Sequence, residues 1–125
     1  MHASPFQPVI LDRLLVAIAF VESGNKPDRV GKHGERSRWQ IKESVWKETT
    51  GIPFDRAKYD AYAYPVARAH LIVLKWELNE SHVPITVRNL ALAWKGGATM
   101  AVLGRLANAA DRAYAERVEN LYNDR

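Results

Sequence analysis

The chain has 125 residues, the size of one domain, and a chain of this length buries roughly two-thirds of its unfolded surface. Apolar residues make up 47% and charged residues 26%, with 7 Gly and 6 Pro, which excludes long disorder and collagen-like or fibrous classes. The lack of cysteine excludes a disulfide framework, thiolate metal ligands and a cysteine nucleophile, and the formal net charge of +4 favours anionic partners without naming one. Lys and Arg are scattered rather than blocked, so no nucleic-acid partner is expected. The longest apolar run, Leu14 to Val21, is far short of the roughly 20 residues needed to cross a bilayer. The opening Met1-His2-Ala3-Ser4-Pro5 has none of the three regions of a secretory signal, which suits a cytosolic chain or one trimmed before this numbering begins.

Apolar residues at helical spacing predict a first helix from about Pro8 to Glu22, with Ile10, Leu14, Ala17, Ile18 and Val21 on one stripe and Gly24 as its stop. Residues 25 to 37, broken by Pro27, Gly31 and Gly34, read as a loop suited to turns or a short β-hairpin. A second helix is expected over Glu43–Thr49, stopped by Gly51 and Pro53, and a long third one over Asp60–Asn79. Its core stripe reads as Tyr62, Val66, Ala69, Val73 and Trp76, with Pro65 implying a first turn near Tyr64 or a kink. Thr86 caps a fourth helix that stops at Gly96-Gly97. Ala98–Arg105 reads as helical, and a last helix over Ala109–Tyr122 carries Ala110, Tyr114, Arg117, Val118 and Leu121. The fold class is mainly α: one domain spanning 1–125, five to six helices around one core, with a β element between the first two.

Glu22 comes one position after a wholly apolar stripe, where the next turn of helix still touches the core. Desolvation there disfavours the charged carboxylate and raises its pKa, which is how a glutamate becomes a general acid near neutral pH. A carboxylate is also mildly unfavourable at the C-terminal end of a helix dipole, so stability does not explain it.

The context is Ala17-Ile18-Ala19-Phe20-Val21-Glu22-Ser23-Gly24, then Gly31 and Gly34, then Trp39-Gln40-Ile41, then Ala93-Trp94-Lys95-Gly96-Gly97, and finally Tyr114 and Val118 on the last helix. This ordered set resembles the lysozyme-like superfamily, and within it the soluble lytic transglycosylases and goose-type lysozymes, over about residues 11 to 122. The resemblance implies an α+β lysozyme-like fold that cleaves peptidoglycan glycan strands between N-acetylmuramic acid and N-acetylglucosamine. It implies Glu22 as the catalytic acid and base, with no cofactor and no metal. Ser23, Trp39, Gln40, Trp94, Lys95 and Tyr114 become candidates to bind or support the sugar. It further implies a periplasmic or extracellular place of action, reached by a trimmed mature domain.

Two positions depart from the family pattern. Lys95 stands where the family has Asn, and a cation near Glu22 would lower its pKa. Ser37, between Arg36 and Arg38, stands where the family has Gly, at a position that would favour a positive φ. Both leave room for a catalytically silent glycan-binding homologue. A second carboxylate facing Glu22 would instead make a hydrolytic muramidase, and the loop offers Asp28 and Glu35 for that part. His33 and His70 have no second ligand at the i+3 or i+4 spacing of a helical metal site, and no phosphate loop, dinucleotide fingerprint or serine-nucleophile elbow occurs.

Overall fold

A computed structural model describes residues 7–104 and 107–124. The chain forms α1 (Leu11–Ser23), α2 (Glu43–Thr49), a 3-10 turn over Phe54–Lys58, α3 (Asp60–Glu80), α4 (Val87–Gly96), α5 (Ala98–Val102) and α6 (Ala109–Asn123). None of the described helices is long and apolar enough to cross a membrane. The opening Met1–Pro5 and the Arg105 end of the expected fifth helix lie outside the described residues.

α4 is the central element. Its four consecutive residues Leu90, Ala91, Leu92 and Ala93 are all buried, as in a helix that is covered on most sides. The Thr86 hydroxyl accepts the Asn89 amide at 3.1 Å and starts the helix, and Gly97, with φ 87°, ends it. α1 packs beside α6, with Leu14, Leu15 and Ile18 inward, and the Ile10 amide donating to the Tyr122 hydroxyl ties the two helix ends together. Gly24 takes the left-handed conformation at φ 66°, letting its own amide and that of Asn25 close back onto the Phe20 and Ala19 carbonyls. α2 is pinned by Trp46, fully buried, whose indole N–H donates to the Ile52 carbonyl.

Two expectations need correction. α3 does bury one face, but it is the Ala63, Ala67, Leu71, Leu74 and Leu78 stripe together with Val66; Tyr62, Val73 and Trp76 point outward. The helix carries apolar residues on two opposite sides, and periodicity alone cannot choose between them. Secondly, α3 begins at Asp60 and runs through Pro65. The carbonyl of Ala61, which loses its i+4 donor there, is in an exposed stretch where water can serve it. The loop after α1 takes the turns that the sequence suits; among the described residues its only β pairing is the isolated antiparallel bridges Val30 to Arg36 and Arg36 to Ile41. Two tight turns, Gly31 to Gly34 and Ser37 to Gln40, reverse the chain before a ladder can extend.

Candidate active site

The end of α1, the loop after it, α3 and the end of α4 enclose an open cleft of about 380 Å³. Glu22, Gln40, Trp94, Lys95 and Glu35 all line it, five of the residues singled out from sequence. Glu22 sits at the end of α1, where the apolar helix that buries Ile18 and Ala19 carries the carboxyl into partial burial. Its Oε2 accepts the Tyr114 hydroxyl at 2.8 Å. Desolvation is the largest influence on this carboxyl and lifts its pKa above the ordinary value; the Tyr114 hydrogen bond, then Lys95, pull it back, Glu35 pushes it up, and Lys42 pulls it down.

Tyr114 is buried on α6 and reaches Glu22 from behind, so it steadies the acid rather than touching a sugar. Burial first, and then the Glu22 charge and hydrogen bond, hold its phenol well above the ordinary value, so it stays a donor. The Lys95 ammonium lies 5.2 Å from the centre of the Tyr114 ring, over its face. Trp94 is half-buried, its ring 5.2 Å from that of His70 and its indole N–H donating to the Trp39 carbonyl at 3.3 Å.

Across the cleft the loop supplies Glu35 and Gln40. The pKa of the Glu35 carboxyl lies below the ordinary value, first because its own backbone amide donates to it; burial opposes this, and the His33 amide adds to it. Gln40 sits at φ 52° and its side-chain amide donates to the Arg29 and Ser37 carbonyls, closing the turn. Gly31 is what lets these pieces meet, since a Cβ there would collide with the Gln40 amide oxygen and crowd the Glu35 carboxylate. Ser37 does adopt a positive φ, 78°, and compensates by accepting the Trp39 amide on its hydroxyl.

Three expected site residues lie elsewhere. Ser23 is buried, its single O–H shared between the Ala19 and Arg38 carbonyls while its oxygen accepts the Lys26 amide, so it fastens the loop to the helix and does not line the cleft. Trp39 is a core residue whose indole N–H donates to the Leu15 carbonyl. Asp28 is exposed in a separate recess with Arg29, Arg36 and Lys58. Conversely, Lys42, His33 and His70 line the cleft without having been proposed for it. Nothing local in the sequence singles out Lys42, which stands just before α2 on extended backbone at φ −73° and ψ 148°. Burial lowers the pKa of His70 and keeps its imidazole neutral. Among the described residues no group of three or more His, Asp or Glu could hold a metal ion.

Chemically, the cleft offers one carboxyl disposed to carry a proton, one carboxylate held as an anion, an indole edge and two ammonium groups. Comparisons with protein-family models, with characterised proteins and with solved structures returned no match to the chain.

Proposed function

We propose that the chain is a peptidoglycan-cleaving lytic transglycosylase that acts on the β-1,4 bond between N-acetylmuramic acid and N-acetylglucosamine. The observation that carries this reading is the Glu22 carboxyl: desolvated, on the wall of an open cleft, and held by a buried phenol. Protonated Glu22 gives its proton to the glycosidic oxygen as the bond from that oxygen to the muramyl anomeric carbon breaks. The resulting carboxylate then takes the proton of the muramyl 6-hydroxyl as that oxygen bonds to the same anomeric carbon, closing a 1,6-anhydro ring and returning Glu22 to its acid form. No water is consumed. Trp94 and Gln40 would orient the sugar, and the Tyr114 hydroxyl would hold Glu22 in line in both protonation states. The reading carries with it a periplasmic or extracellular place of action, where the polymer lies.

A hydrolytic muramidase is the second reading, favoured by Glu35 in the same cleft with its carboxyl held ionised. Mass spectrometry of purified peptidoglycan incubated with wild type and with Glu22→Gln separates the two. Anhydro-muropeptides made only by wild type support the transglycosylase. Products heavier by one water, lost in Glu35→Gln, support hydrolysis. Cleavage by Glu22→Gln at the wild-type rate refutes both.

A further inference from the structure

The outward face of α3 is apolar from Tyr62 to Trp76 and nothing among the described residues covers it. Tyr62, Pro65, Ala69, Ile72, Val73 and Trp76 follow one another along it at helical spacing, with Trp76 69% exposed and Val73 52%. From Tyr62 to Trp76 this strip runs about 21 Å along the helix axis. Single exposed apolar residues need no explanation, but a contiguous strip of this length marks a surface that is covered in use. The face lies opposite the buried stripe, and the cleft is reached from α3 through His70, away from the strip.

The strip is complementary to itself. Tyr62 and Trp76 lie seven residues either side of Ala69, and Pro65 and Val73 lie four; Lys58, in the 3-10 turn, stands just before the helix and Glu80 at its end. A two-fold axis through Ala69 of two antiparallel α3 helices therefore sets Trp76 of each copy against Tyr62 of the other, and Val73 against Pro65. The small residue sits at the crossing, where two helix backbones come nearest. The same axis brings the Lys58 end of each copy to the Glu80 end of the other. Lys58 lies against the Tyr59 ring and Glu80 closes the helix; neither forms an ion pair among the described residues.

We infer that α3 is the interface of a two-fold symmetric homodimer, in which Trp76, Val73, Pro65 and Tyr62 of two copies pack about Ala69 and Lys58 and Glu80 pair across it. The contact is isologous, so it closes at two copies and leaves both clefts open.

Sedimentation equilibrium of the full chain over a concentration series tests this, beside Trp76→Glu, Lys58→Glu, Glu80→Lys and the double reversal. Wild type is expected at twice the chain mass, with Trp76→Glu raising the dissociation constant at least 100-fold while its helical circular dichroism and melting are kept. Each single charge reversal should raise it roughly tenfold, since two copies of the pair are lost, and the double reversal should recover most of that. Wild type at one chain mass up to its solubility limit overturns the inference, as does a dimer that Trp76→Glu leaves intact. Wild type that stays at one chain mass and binds vesicles of anionic phospholipid overturns it in favour of a membrane surface.

Discussion

Glu22 and Glu35 face one cleft from two kinds of support, and the supports drive them in opposite directions. Glu22 is carried by a helix whose apolar packing removes water from the carboxyl, so its proton is held more tightly than usual. Glu35 is carried by a solvated loop whose amides donate to the carboxylate, so its proton is lost more easily. Placing a carboxyl on a packed helix end makes an acid, whereas placing one on a turn rich in free amides makes a fixed anion. The same division runs through the rest of the cleft. Tyr114 and Trp94 are positioned by helix packing, while Gln40 is positioned by a turn that holds both Ser37 and Gln40 at positive φ.

The comparison breaks most completely with Glu22→Gln. Peptidoglycan cleavage should fall by about 10³-fold or more, the size of effect expected when a general acid and base is lost. Stability should move the other way. Since burial holds the folded-state pKa above the unfolded one, Glu22 favours folding while protonated, and that contribution disappears as pH rises through the folded-state value. The uncharged amide should therefore gain on the order of 1 kcal/mol at neutral pH, and nothing in acid, in chemical denaturation at two pH values. Gly31→Ala attacks the loop side, pushing the ends of the Gln40 and Glu35 side chains away from their places; a loss of at most about 1 kcal/mol with a larger loss of turnover is expected, read by melting and turnover together.

Tyr114→Phe removes the donor behind Glu22 and should lower turnover while costing roughly 1–2 kcal/mol of stability. Because that hydrogen bond lowers the Glu22 pKa, the alkaline limb of the pH–rate profile should move up. Lys95→Asn should shift the same limb in the same direction with little effect on melting, since the ammonium is exposed and acts on Glu22 by charge alone. The smallest effect is expected at Ser37. Gly there relieves the positive φ but loses the hydroxyl that accepts the Trp39 amide, and should be near neutral, whereas Ala keeps the strain and loses the bond, at a cost of about 1–2 kcal/mol in melting.

Much of this was legible in the residues. Glycines at positions 24 and 97, the Thr86 cap and the bounds of α2 follow from local chemistry that acts within a few residues. Glu22 was legible because one carboxylate at the end of an apolar stripe is a local anomaly. What was not legible depended on distant packing. α3 has an apolar residue on each side at most turns, so which side is core is decided by α1 and α4, not by its own period. Trp39 and Trp94 look alike in sequence; the turn between Ser37 and Gln40 carries Trp39 inward to the Leu15 carbonyl, whereas α4 presents Trp94 to the cleft. Ser23 was misjudged for a related reason, since the Arg38 carbonyl that occupies it comes from fifteen residues away.

The most direct test of the central claim is a carbon-13 NMR titration of the side-chain carboxyls of Glu22 and Glu35 in the intact protein. Glu22 should titrate above the ordinary glutamate value and Glu35 below it, with Tyr114→Phe and Lys95→Asn each moving Glu22 further up. Coincident titrations, or Glu35 titrating above Glu22, would contradict it.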